Sequence, residues 1–149
     1  MRVRFHQYAW GLLAYNLAVV LGGAFVRASF SGDGCGDHWP DCNGHLIPHQ
    51  GPLKQVVEFS HRGSTGLLGF LILGLVLWAF LAHPKGHPAR KGAVAALFLT
   101  FVEALIGAWL VRFHLVAHDE SVYRAIAMPI HLVTTFLLLM SLTLTAWWS

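Results

Sequence analysis

Four long apolar runs constrain this chain more than any other feature. Tyr8–Val26 and Gly63–Ala82 hold no charged residue, Gly92–Val111 holds one, Glu103, and Ala125–Ser149 holds no formal charge and one histidine, His131. Each run reaches the roughly 20 residues needed to cross about 30 Å of hydrocarbon at about 1.5 Å per residue. None alternates apolar and polar positions, and each is about twice the length of a membrane-barrel strand. A soluble fold is excluded by charge: charged residues make up 11% of the 149 residues, against roughly 25% in soluble domains. The expected fold is therefore all-α, an integral membrane four-helix bundle in one domain over residues 1–149. Its spans fall at about 8–26, 58–82, 92–113 and 125–147, with a long outer loop 1. The first run is long for the apolar stretch of a cleaved signal, and Gly22-Gly23-Ala24 is a weak cleavage-like segment. Nucleic acid is not an expected partner, because the net charge is only +3 and the ten Lys and Arg are dispersed.

The loops suggest an orientation. Arg2 and Arg4 precede the first run, and the second connection, His83–Lys91, carries Lys85, Arg90 and Lys91, with no acid in either region. The positive-inside rule makes this side cytoplasmic, which puts both termini in the cytoplasm of a multi-pass cell-membrane protein. The opposite side carries as many basic residues: Arg27, Lys54, Arg62, Arg112 and Arg124. Of these, Arg27, Arg62 and Arg112 stand at or inside helix ends, where they can serve a ligand or contact lipid headgroups instead of setting orientation.

The first outer connection, about Arg27 to Val57, is long and rich in glycine and proline, so it reads as turns. Both cysteines lie in it, within Cys35-Gly-Asp-His-Trp-Pro-Asp-Cys42. In an oxidising compartment the pair reads as a disulfide. Cys35, His38, Cys42 and His45 also form a C-x2-H-x3-C-x2-H pattern with zinc-type ligands, and free thiols are a third reading.

The second span opens with Glu58-Phe-Ser-His61-Arg62. Glu58 and His61 share a helix face. His61 sits roughly 5–7 Å and His131 roughly 7–9 Å below the outer ends of their spans, by helix rise. Two histidines at one depth on different helices can ligate a haem iron from both faces. Each can instead be a neutral histidine hydrogen-bonded to a neighbouring helix. Arg62, Arg27 and Arg112 are candidate partners for haem propionates. Glu103 lies deeper, roughly 12–15 Å from the outer end. It reads either as functional or as a neutral acid bonded to Thr65, Thr134 or Thr135.

Several motifs together resemble haem A synthase: Gly22-Gly-Ala-Phe-Val-Arg27, Gly32-Asp-Gly-Cys35 through Trp39-Pro40-Asp-Cys42, Ile47-Pro48, Glu58-Phe-Ser-His-Arg62, Ala104-Leu-Ile-Gly107 and Met128-Pro-Ile-His131-Leu. The resemblance covers nearly the whole chain but only the N-terminal four-helix half of a typical eight-span member. It implies an oxidoreductase acting on a CH or CH2 group, converting the C8 methyl of haem O to a formyl group and so giving haem A for terminal oxidases. It further implies Glu58 as the catalytic residue, His61 and His131 as haem-iron ligands, and a Cys35–Cys42 disulfide. Haem O is then the substrate, with haem b a further candidate. The implied partners are a second four-helix half or further copies of this chain in a homo-oligomer, and haem O synthase. No role is implied for Glu103. The alternatives are a non-catalytic bis-histidine haem b electron-transfer protein and a membrane thiol oxidoreductase. The six-residue spacing of the cysteines counts against the last.

Overall fold

The structure, a computed structural model, describes residues 4–47 and 51–149. Arg2 and Pro48, used above, lie outside the described residues. The chain forms α1 (Phe5–Ala28), α2 (Leu53–Ala82), α3 (Pro88–Arg112) and α4 (Val122–Trp147). Among the described residues the only β pairing is an isolated bridge between Cys42 and His45. All four helices are long and apolar enough to cross a membrane, so the chain is a multi-pass membrane protein of the all-α class.

The helices begin several residues before the apolar runs do, because helical hydrogen bonding continues through interfacial polar residues until a local stop. Ser121 caps α4 by accepting from the Arg124 amide, and Pro88 opens α3 with the His87 side chain accepting from the Ala89 amide. These are favoured N-terminal devices, since the first amides of a helix have no partner within it.

The four helices form a ring. α1 packs on α2 and α4, and α3 packs on α2 and α4, while the backbones of the diagonal pairs stay apart. Small residues explain the close α3–α4 seam. Ala89, Gly92, Ala93 and Ala96 are buried along one face of α3, the spacing that lets membrane helices approach closely. A Cβ on Gly92 would overlap Thr145 Oγ1 and stand 3.4 Å from the Ser141 carbonyl oxygen. Across the α1–α2 seam, the Tyr8 hydroxyl donates to the Leu71 carbonyl at 2.8 Å and the Tyr15 hydroxyl to the Ser64 carbonyl at 3.1 Å.

The apolar core fills one end of the ring. Phe5, Ala9, Leu12, Ile72, Leu75, Ala79, Leu138, Leu142 and Ala146 form it with the small α3 face. A smaller cluster of Leu110, Leu115 and Ala127 lies at the other end, which also carries the α1–α2 loop. Large apolar side chains such as Leu21, Phe70 and Leu81 point outward, as a lipid-facing surface requires.

Candidate functional site

The α1–α2 loop is closed by a Cys35–Cys42 disulfide. This decides between the readings of the two cysteines. With the sulfurs bonded to each other, the Cys35, His38, Cys42, His45 metal pattern is not assembled, and no metal-binding cluster of His, Cys, Asp or Glu occurs among the described residues. The closed loop lies on the first turns of α2. Gly34 comes so near that a Cβ there would stand 2.5 Å from the carbonyl carbon and oxygen of Lys54. Only glycine fits that approach. The Cys35 amide donates to Glu58 Oε2 at 2.8 Å, and Gln55 Nε2 lies 3.5 Å from Cys42 Sγ. Arg62 pairs with the other oxygen of Glu58 and donates to the carbonyls of His38 and Asp41, both at 2.7 Å. The Glu58 side chain is 4% exposed and that of Arg62 12%. One carboxylate and one guanidinium thus tie the disulfide loop to α2. Arg27 and Arg112, at the ends of their helices, are exposed, unlike the nearly buried Arg62 side chain.

One turn deeper on α2 is His61. Its Nδ1 is buried without a hydrogen-bond partner. The ring lies against α1, where a Cβ on Gly23 would meet Cε1 at 3.0 Å and Nε2 at 3.1 Å, and one on Gly22 would meet Nδ1 at 3.5 Å. A groove of about 300 Å³ beside it is lined by Gly22, Phe25, Val56, Val57, Ser60, His61 and Ser64. His131 is on α4, which stands diagonally across the ring from α2. Pro129 precedes it by two residues inside the helix, removing the amide that would bond the carbonyl of Ala125.

The full helix lengths revise the depths. His61 lies about 12 Å from the start of α2 and His131 about 13 Å from the start of α4, by helix rise. Glu103 lies about 13 Å from the end of α3 on the same count, and its carboxyl meets the His131 turn of α4. Its Oε2 is 3.0 Å from His131 Nδ1. The hydroxyl of Thr135 donates to that oxygen at 2.9 Å and that of Thr134 to the other oxygen. Of the three threonines considered from sequence, Thr65 is not a partner; it donates to the Arg62 carbonyl.

This level differs from the rest of the bundle in packing. No residue is buried between Val19 and Ala28 on α1, between Glu58 and Leu68 on α2, between Ala96 and Leu110 on α3, or between Ala127 and Leu138 on α4. The apolar core lies on one side of this belt and the disulfide loop on the other. Within the belt stand His61, Glu103 and His131. Protein interiors are otherwise close-packed. A belt of partly buried side chains with two histidines on diagonal helices, each bearing a buried ring nitrogen without a hydrogen bond, fits a large planar group held by its metal.

Sequence reasoning missed two elements of the site. The pairing of Glu103 with His131 had a visible half, since His131, Thr134 and Thr135 share one helical face. The seat of His61 against Gly22-Gly23 was quoted only as part of a motif.

Fold and site together define a polytopic helical membrane protein with a histidine pair set across its ring and a disulfide loop closing one end. A model of the cytochrome oxidase assembly protein family, COX15-CtaA, matches residues 6–52 and 50–149. The chain belongs to that family. It is 50% identical over 146 residues to a protohaem IX farnesyltransferase of Thermus thermophilus, a match covering 98% of this chain and 24% of that protein. It is 41% identical over 92 residues to a haem A synthase of Lysinibacillus sphaericus, covering 62% of this chain and 30% of the relative. A haem A synthase of Exiguobacterium is 35% identical over 96 residues, covering 64% and 32%. The chain thus spans about a quarter to a third of the length of the curated relatives it matches.

Proposed function

We infer that this chain is a haem-handling enzyme module that converts the C8 methyl of haem O to the formyl group of haem A. The observation that carries the reading is the loosely packed belt with His61 and His131 on diagonal helices. Family membership and the haem A synthase names of several relatives support it. His61 and His131 would hold the iron from opposite faces. The bound haem, here the substrate macrocycle, supplies the oxidative chemistry at its own periphery. A methyl and one water become a formyl group with release of four electrons and four protons, so an electron acceptor is needed.

The protein's part is to bind, orient and shield the macrocycle. Glu58, one helical turn from His61 toward the loop, is the candidate group for accepting a proton or stabilising positive charge developing at the methyl carbon. Arg62 and Arg27 are candidate propionate partners. For Arg62 this role adds to its hold on the loop. The basic end, with Lys85, Arg90 and Lys91, faces the cytoplasm in this reading. A second four-helix unit, from another copy or another chain, completes the working assembly. A protohaem farnesyltransferase, the source of haem O, is a fitting partner, because a relative bearing that name contains a segment alike over 98% of this chain.

A second reading, a non-catalytic bis-histidine haem protein, is favoured by one observation. Both Glu58 oxygens are already engaged by the loop and Arg62. Extraction and chromatography of haem from purified protein supplied with haem O separates the two. Haem A or a hydroxylated intermediate supports the enzyme, and unchanged haem O with a low-spin spectrum supports the carrier. An unaltered spectrum in both His61→Ala and His131→Ala removes the ligand assignment.

A further inference from the structure

Glu103 is the one acid in the middle of a span. An ionisable group at that depth is costly unless it has partners. Its partners all come from one turn of α4. Oε2 stands 3.0 Å from His131 Nδ1 and accepts from the Thr135 hydroxyl at 2.9 Å, and Oε1 accepts from Thr134. The carboxyl is thus held by two hydroxyls and stands within reach of a ring nitrogen. The 3.0 Å approach is an ion-pair distance; His131 Nδ1 makes no aligned hydrogen bond among the described residues. His61 Nδ1 is likewise without a hydrogen bond, but no carboxylate pairs with it among the described residues, and its ring rests on Gly22 and Gly23.

We propose that Glu103 is the positioning residue of His131: it takes the Nδ1 proton in a hydrogen bond, fixes the tautomer with Nε2 unprotonated, and makes the two histidines unequal ligands. The proposal rests on the haem reading above. A ligating imidazole ordinarily donates its second N–H to a carboxylate or carbonyl, which sets ring orientation and raises its basicity. Here the carboxyl comes from α3 and the histidine from α4, so the α3–α4 seam itself sets the ligand. His131 is then the fixed, stronger donor. His61, seated on a glycine face without a hydrogen-bonded anchor, is the ligand that can yield when one macrocycle leaves and another enters.

The competing role is a plain tie between helices, and the test separates the two. The full-length chain in detergent is loaded with protohaem as the probe. Spin state, midpoint potential, haem retention and melting temperature are measured for wild type, Glu103→Gln, Glu103→Ala and Thr135→Val. Glu103→Gln keeps the shape and one acceptor, so the spectrum stays low-spin while the potential rises, because the imidazole becomes a weaker donor. Glu103→Ala weakens haem retention about 10–100-fold, the usual effect of losing such a partner, and adds a high-spin fraction. Thr135→Val shifts the potential in the same direction by less. An unchanged potential and retention in Glu103→Gln and Glu103→Ala, on a wild-type protein showing a low-spin bis-histidine spectrum, overturns the proposal and leaves the haem reading standing. A lowered melting temperature without a shift in potential overturns it too, since that is the signature of a tie alone. Wild type that takes up no low-spin protohaem removes the haem reading, and the proposal with it.

Discussion

Neutralising Glu58 tests whether the residue at the head of α2 anchors the loop, acts on substrate, or does both. In Glu58→Gln the amide oxygen can still accept the Cys35 N–H, and Arg62 keeps the carbonyls of His38 and Asp41. What disappears is the charge opposite a nearly buried guanidinium. Losing one charge-assisted hydrogen bond of this kind costs about 1.5–3 kcal/mol. Arg62→Met is harsher. It leaves a carboxylate with 4% side-chain exposure facing one backbone amide and frees two loop carbonyls, for about 3–5 kcal/mol. If the pair acts as a unit, the double variant costs less than the sum of the singles, because no buried charge is left alone. Equilibrium unfolding in detergent measures all four corners of the cycle. Strictly additive losses, or an Arg62→Met loss under about 0.5 kcal/mol, would refute the anchoring argument. Haem A formation is read on the same proteins. A catalytic Glu58 predicts a fall of about 10²–10⁴-fold in Glu58→Gln with full haem occupancy. Turnover that stays near normal in Glu58→Gln at full haem occupancy leaves Glu58 as an anchor only.

The Cys35 and Cys42 thiols should resist alkylation until a reductant is added, and the Cys35→Ser, Cys42→Ser double variant should lose about 2–3 kcal/mol, the loop-closure contribution for so short a ring; alkylation of the unreduced protein would contradict this. Gly23→Ala puts a methyl 3.0–3.1 Å from the His61 ring whereas Gly22→Ala makes ordinary contact at 3.5 Å, so only the former should disturb the haem spectrum, and equal spectra would remove the glycine seat from the argument. Gly92→Val should destabilise the α3–α4 seam by about 1–3 kcal/mol through overpacking, read as a lowered melting temperature with the disulfide intact; an unchanged melting temperature would contradict it. At the basic end, burial and then the neighbouring His87 and Arg90 push the His83 pKa below its ordinary 6.5. The unfolded chain then binds that proton more readily, so His83 costs nothing above about pH 6.5 and removes stability as the pH falls below it. His83→Gln should flatten the acid limb of the melting profile, and parallel profiles would contradict the assignment.

Membrane class, helix number and the disulfide option were legible in the chain because each depends on local quantities. Twenty apolar residues in a row have one folded solution in a bilayer, since every backbone amide must be paired within the segment. A glycine-rich loop holding both cysteines limits their partners. Matched depth for His61 and His131 was also legible, because helix rise converts sequence position to height. The helices extend beyond the apolar runs, because hydropathy marks where side chains turn polar, not where helical hydrogen bonding stops. Arg62 and Arg124 lie inside their helices although they close the apolar runs. The sequence placed Glu103 at the depth of Thr134 and Thr135, and both hydroxyls donate to it. Only the tertiary structure brought Glu103 to His131, His61 to Gly23, and the Cys35 amide to Glu58. Each contact joins segments far apart in the chain, and its geometry depends on which helices are neighbours in the ring and how each is rotated about its axis. Rotation is decided by packing, such as the small-residue face of α3 against Ser141 and Thr145 and the tyrosine bonds from α1 to α2. Apolar pattern says little about it when every face of a helix is apolar.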